Sequence, residues 1–328
     1  MKVAVLGAGA WGTALAIQIA REHEVLLWTR NQQHLQEMRE TRMNRRYLGD
    51  FPFAPSLQLE ADFNAAIQDA DIILAAVPTN GLRETLRNIR LVNSNKPVVW
   101  ACKGLEASSA KLLYEVAQEE LAQDAPWGIL SGPSFAEEVA QGLPTAITVA
   151  SSNESLAHDF ATALHGGSLR VYHTTDVIGV AVGGALKNVI AIASGICDGM
   201  GFGLNARAAL LTRGLAEITR FGVALGGKAE TLMGLAGAGD LILTATGNLS
   251  RNYKVGLLLA KGQTLEQILA ELGHVAEGVS TAREVERRAA AMGVEMPITR
   301  QVNLVISEGL SPRTAVENLL GREQKPEH

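Results

Sequence analysis

The chain has 328 residues, 47% of them hydrophobic, 19% charged and 5% aromatic, with a net charge of −5 at pH 7. That is enough ordinary globular material for two domains with cores of their own. The acidic balance excludes a nucleic-acid partner, which needs a basic face, while a local basic pocket for a small anion stays open.

The opening MKVAVLGAGAWG enters a strand at residues 2–6 almost at once and leaves no room for a signal peptide, so a cytoplasmic protein is expected. A glycine turn leads into a helix over 10–21, then a strand at 24–28 and a polar amphipathic helix from 31 towards 41. Apolar runs follow at 72–77, 97–101, 127–131 and 146–150, each bounded by Gly, Pro, Asn or Ser and followed by a helix-like stretch. Strands that are apolar on both faces and alternate with helices predict a parallel sheet covered on both sides. Past residue 176 the pattern is helical throughout, with helices at 178–197, 206–225, 252–261, 264–272, 278–292, 297–308 and 312–320. The expected architecture is a Rossmann-like, doubly wound α/β domain over 1–177 and an all-α domain over 178–328, ending in a frayed tail REQKPEH.

Cys102 and Cys197 cannot form a disulfide framework, and they suit a reducing compartment. Cys102 reads as a buried residue at a strand end, although its neighbour Lys103 could make the thiol reactive. The seven His include no HExxH pair and the two Cys have no ligand spacing, so no metal is expected.

Gly7, Gly9 and Gly12 spell G-x-G-x-x-G between the first strand and the first helix. The three glycines give the tight turn, the approach of a pyrophosphate to the backbone, and close helix–strand packing. Phosphates then meet free N–H groups at the helix start. The context makes this a dinucleotide site rather than a structural turn. NAD-selective sites carry an acidic residue at the end of the second strand, where this chain has Thr29 and Arg30. Arg30 can pair with a 2′-phosphate, which favours NADP(H) with NAD(H) also accepted; covering the adenine face is its other reading.

The run 178–197, IGVAVGGALKNVIAIASGIC, is the one segment that hydropathy would take for a membrane span. Its single charge, Lys187, stands in the middle, where insertion costs about 2.5–3.5 kcal/mol, so the run reads as a buried helix. A buried cation must be paired or must titrate. Desolvation favours the neutral amine, which suits exchange of a proton with a carbonyl or alcohol oxygen; a structural lysine capping a carbonyl is the alternative. Other polar islands follow apolar runs: Lys103 in KGLE, the loop SGPSFAEE at 131–138, Asp240 and Thr244 in AGAGDLILT, and Ser250-Arg251-Asn252. A Ser-capped helix start carrying an Arg can hold a phosphate, or can be a plain capped helix.

Together these stretches closely resemble the bacterial NAD(P)-dependent sn-glycerol-3-phosphate dehydrogenases. The likeness runs through GAGAWGTALA, KGLE, SGPSFAEEVAQGLPTA, GGALKNVIAIASGICDGMGFG, NARAALLTRGLAE, GLAGAGDLILT, SRN, EGVSTAREV and GVEMPIT, nearly the whole chain. The resemblance implies reversible NAD(P)H-dependent reduction of dihydroxyacetone phosphate to sn-glycerol 3-phosphate, supplying phospholipid synthesis in the cytoplasm, by a homodimer. It implies Lys187 as proton donor and acceptor, with Lys103 and Asp240 beside it. Gly132, Ser134, Thr244, Ser250, Arg251 and Asn252 would bind substrate. Ala10, Trp11, Arg30, Lys103, Ala136, Arg251, Val275 and Glu277 would join the three fingerprint glycines around the cofactor. Two departures stand out: Ala10–Trp11 where relatives often have Ser and an aromatic, and no Asn-Gly turn before the second strand. A 3-hydroxyacid dehydrogenase, with a carboxylate pocket in place of the phosphate pocket, is the runner-up. A non-catalytic NADPH sensor is the third reading, and the Lys187–Asp240 pairing speaks against it.

Overall fold

The computed structural model describes residues 1–92, 95–107, 109–272 and 276–324. Eight strands form one sheet: β1 (Lys2–Leu6), β2 (Glu24–Trp28), β3 (Leu57–Glu60), β4 (Ile72–Ala75), β5 (Val98–Trp100), β6 (Trp127–Ser131), β7 (Thr145–Ala150) and β8 (Leu169–Thr174), in the order β3-β2-β1-β4-β5-β6-β7-β8. Between them run α1 (Ala10–Ile19), α2 (Gln32–Thr41), α3 (Phe63–Gln68), α4 (Leu82–Leu91), α5 (Leu113–Glu120), α6 (Ala136–Gln141) and α7 (Glu154–Leu164). β1 and β4 are buried along nearly their whole length, as central strands covered on both faces must be.

The sheet departs from the expected parallel order at one joint, where β7 runs antiparallel to β6 and β8 follows β7 in parallel. The connection explains it: α6 has six residues and ends on a left-handed Gly142. Leu143 and Pro144 then return the chain directly alongside β6, because Pro cannot prolong a helix. Two strands were not read from the sequence, β3 and β8, and both lie on the sheet's edges.

The rest is helical: α8 (Val177–Gly199), α9 (Gly203–Ala224), α10 (Ala229–Met233), α11 (Asp240–Thr246), α12 (Arg251–Ala260), α13 (Leu265–Leu272), α14 (Glu277–Met292), α15 (Pro297–Glu308) and α16 (Pro312–Leu320). A π-turn, Leu235–Gly239, leads into α11. The chain divides into two compact units, one comprising Met1–Lys103 and Leu112–Ala181, the other Gly104–Lys111 and everything from Val182 on. The small excursion belongs with the helical unit because Arg288 Nη1 donates to Ala110 O at 3.0 Å. α8 is long and apolar enough to cross a membrane, but 89% of its most apolar window is buried in the protein, as a core helix requires. The tail residues 325–328 lie outside the described residues.

Within the helical unit, Glu217 of α9 is 2% exposed and accepts from Ile298 N at 2.6 Å and Thr299 N at 3.3 Å, capping the start of α15. Burial pushes its carboxyl up to about 7 from 4.5, against the N–H donors and Arg220, which favour the charge. A carboxyl whose folded pKa is raised costs nothing below its unfolded pKa, and its full penalty applies above the folded one. Unfolding free energy therefore falls by about 3 kcal/mol on this group's account as pH rises from 4.5 to 7. In Glu217→Gln that slope is expected to vanish, read by urea unfolding of both proteins at pH 5 and pH 7.5. Equal pH dependence in the two would refute the assignment.

Candidate active site

In the first unit the polar candidates line the carboxyl edge of the sheet, where open α/β folds bind ligands. Gly7, directly after β1, has φ +117°, and a Cβ there would lie 2.6 Å from Ala76 O, so neither the conformation nor the space admits a side chain. Gly12 is equally constrained, since a Cβ would meet Gly7 O at 2.0 Å. Gly9 is the opposite case: a Cβ would meet nothing within 4 Å, and as N-cap of α1 it offers no side-chain cap. The first-turn N–H groups of α1 are thus left to a ligand, and the open side of Gly9 gives a diphosphate room to approach them. These residues fit the dinucleotide that the fingerprint implies. Ala10 and Trp11 are half-buried against the sheet's core, as is Ala136 at the start of α6. Arg30 is exposed, makes no ion pair among the described residues, and directly precedes Asn31, the N-cap of α2.

Further along the edge, Thr79 Oγ1 donates to Lys103 O at 3.4 Å. Lys103 Nζ donates to Gly132 O at 3.1 Å, and Ser134 Oγ donates to the same oxygen at 3.0 Å. Lys103, Gly132 and Ser134 therefore form one polar group after β5 and β6. Cys102 and Cys197 are both buried thiols, and burial raises the Cys197 thiol pKa.

In the second unit α8 is the axis. Lys187 is 8% exposed and its Nζ donates to Asp240 Oδ1, with Asp240 fully buried. Thr244 Oγ1, one turn along α11, lies 3.4 Å from the same oxygen. Two features place the carboxylate there. A Cβ at Gly183, one turn before Lys187, would come within 2.4 Å of Ala236 O, so the π-turn settles directly on the α8 backbone. Ser194 Oγ then donates to Ala245 O at 2.8 Å, holding α11 along the same helix. Asp240 opens α11 directly after the π-turn, with helical backbone on both sides of it.

α12 approaches α8 as closely. A Cβ at Gly256 would sit 2.0 Å from Ile192 O, and one at Gly195 2.0 Å from Tyr253 O. Ser250 caps α12, accepting from Tyr253 N at 3.2 Å. Arg251 is exposed with no ion pair among the described residues, while Asn252 is buried and its Oδ1 accepts from Gly278 N at 3.0 Å. With Oδ1 taken, the amide hydrogens of Asn252 remain as donors. Sequence reasoning missed the support behind this helix start: Asp198 Oδ2 accepts from both Tyr253 OH and Arg207 Nη1 at 2.8 Å. The phenol's pKa is raised, first by burial and then by its bond to Asp198. Glu277 opens α14, half-buried, and Val275 lies outside the described residues.

The sequence model for the N-terminal part of NAD-dependent glycerol-3-phosphate dehydrogenase matches residues 2–157, and the model for its C-terminal part matches 176–317. The chain belongs to the NAD-dependent glycerol-3-phosphate dehydrogenase family. A family member from Methylobacillus flagellatus, named as an NAD(P)+ glycerol-3-phosphate dehydrogenase, is 63% identical over 100% of this chain and 99% of its own. One from Nitrosospira multiformis with the same name is 58% identical, with 100% and 99% covered. The crystal structure of glycerol-3-phosphate dehydrogenase from Coxiella burnetii superposes with a TM-score of 0.93 at 42% identity, over 98% of this chain and 99% of that one.

Proposed function

We propose that this protein reduces dihydroxyacetone phosphate reversibly to sn-glycerol 3-phosphate with NADPH or NADH, and that Lys187 is its proton donor and acceptor. The observation that carries the reading is the Lys187–Asp240 pair, a buried cation held by a buried carboxylate in the middle of an apolar helix. The N-terminal part, residues 1–177, is read as the cofactor-binding half and 178–328 as the substrate and catalytic half.

When bound, the nicotinamide supplies or takes the hydride at the substrate's C2. Lys187 Nζ gives the C2 oxygen its proton on reduction and recovers one from water afterwards, so the carbonyl gains one hydride at carbon and one proton at oxygen. Asp240 holds Nζ in place and balances its charge, and Thr244 fixes the carboxylate. Arg251, the Asn252 amide hydrogens, Ser250 and the N-terminus of α12 take the phosphate, so a non-reacting group orients the carbonyl. Lys103, Gly132 and Ser134 serve substrate binding in the first half, with Lys103 also next to the nicotinamide. Gly7, Gly9, Ala10, Trp11, Gly12, Ala136, Val275 and Glu277 serve the cofactor, and Arg30 its 2′-phosphate.

The test is loss of absorbance at 340 nm with dihydroxyacetone phosphate, run with NADPH and NADH in parallel. Turnover is expected with both and faster with NADPH. No turnover in protein that binds NADPH would reassign the substrate to a hydroxyacid. Arg251→Ala is expected to raise KM for the phosphorylated substrate about 10- to 100-fold with a small change in kcat, the loss of a charge-assisted contact. An unchanged KM would move the phosphate site elsewhere.

We also infer a cytoplasmic homodimer whose product feeds phospholipid synthesis. The second copy is supported by α9, of whose length only Gly214, Glu217, Ile218, Phe221 and Gly222 are buried. Leu204 and Val223 on it are 71% and 49% exposed, and nearby Met233 is 62% exposed.

A further inference from the structure

Asn44 lies in the loop after α2, between arginines, and is 1% exposed. Its Nδ2 donates to Ala8 O at 2.9 Å and to Thr13 Oγ1 at 2.7 Å, which uses both amide hydrogens. Its Oδ1 lies 2.8 Å from His34 Nε2 and can only accept, so that ring nitrogen carries a hydrogen. His34 is 3% exposed, packs edge-on against Tyr47, and sits in the first turn of α2, its N–H capped by Asn31 at 3.0 Å. One side chain thus ties together the turn after β1, the first turns of α1, and the start of α2 just beyond Arg30.

The bond to Ala8 has a directional consequence. The Ala8 carbonyl and the Gly9 N–H belong to one planar trans peptide and point in opposite directions. Asn44 draws the carbonyl inward, so the Gly9 N–H faces outward, where it has no partner among the described residues. Gly9 is also the fingerprint position with open space around it.

We propose that Asn44 is the positioning residue of the diphosphate-binding turn: it aims the Gly9 N–H at the dinucleotide's diphosphate and, through His34, holds the start of α2 for the adenosine end. Asn44 does not touch the cofactor and acts through Ala8, Thr13 and His34. Aspartate is no substitute, because a carboxylate supplies no donor for Ala8 O and sets two acceptors against each other. The proposal rests on the dinucleotide reading above.

The test compares the intact wild-type chain with Asn44→Asp and Thr13→Val. Calorimetry gives Kd for NADPH and for ADP-ribose, hydrogen exchange reads the Gly9 amide, and steady-state kinetics give kcat and both KM values. Asn44→Asp is expected to weaken both nucleotides about tenfold or more, to change exchange at Gly9, and to leave kcat at saturating cofactor and KM for the phosphorylated substrate within about twofold. Thr13→Val keeps Asn44 but removes one acceptor, and about threefold weaker binding is expected. Folded Asn44→Asp that binds NADPH like the wild type would overturn the proposal, as would a fall in kcat with Kd unchanged. Should Asn44→Asp not fold, unchanged Kd and unchanged Gly9 exchange in Thr13→Val would overturn it equally. Failure of the wild type to bind any dinucleotide would instead remove the cofactor reading itself, and the proposal with it.

Discussion

Lys187→Ala is expected to lower kcat for dihydroxyacetone phosphate reduction by about two to four orders of magnitude, the usual contribution of a positioned proton donor. Kd for NADPH is expected to stay within about twofold, because Lys187 is not among the residues proposed to hold the cofactor. The variant removes the Lys187 ammonium from the buried Asp240, whose Oδ1 still lies 3.4 Å from Thr244 Oγ1. Rates are therefore compared per mole of folded, NADPH-binding enzyme. Near-normal turnover would return Lys187 to a purely structural role.

The larger effect on stability is expected from the other partner. Asp240→Ala takes the carboxylate away from the Lys187 ammonium at a site that is 8% exposed, and breaking a buried pair from one side costs about 3–5 kcal/mol. At the usual conversion for chains of this size, Tm falls by about 10 °C. The double variant Lys187→Met, Asp240→Ala removes both charges, and most of the lost Tm is expected to return while activity stays lost. Thermal melts of the wild type, Lys187→Met, Asp240→Ala and the double variant settle the point. Additive losses in the double variant would mean that the two groups do not act as a pair.

The contrast between charge and surroundings made this pair visible in the sequence. Lys187 interrupts an apolar run and Asp240 stands among Gly, Ala and Leu, so each demanded an explanation by itself. Asn44 had no such contrast, since it sits among arginines and its burial comes from three segments folding over it. The Asp198–Tyr253 support was hidden in the same way: both residues lie near chain turns where polar residues are unremarkable.

Among the elements, buried strands such as β1 and β4 announced themselves by composition. The edge strand β8 alternates buried and exposed residues only over Leu169–Tyr172 and carries Arg170, Tyr172 and His173, so its apolar signal is weak. Strand direction is not written in apolarity at all, which is why β7 could turn against its neighbour unannounced. The sequence predicts no helix in the stretch from 229 to 246, where Gly234, Gly237 and Gly239 carry poor helix propensity. Close seating on Gly183 outweighs that propensity and folds it into a π-turn and a helix.

The backbone contact between α8 and α12 acts as a gauge. With Gly256 against Ile192 O and Gly195 against Tyr253 O, neither helix can slide without collision, so the span from the start of α12 to Lys187 Nζ is built at a set length. On the proposed assignment, a substrate whose phosphate is held at the start of α12 would present its carbonyl to Lys187 only if the chain between them has the matching number of bonds. Length selection of this kind needs no residue that recognises the carbons in between.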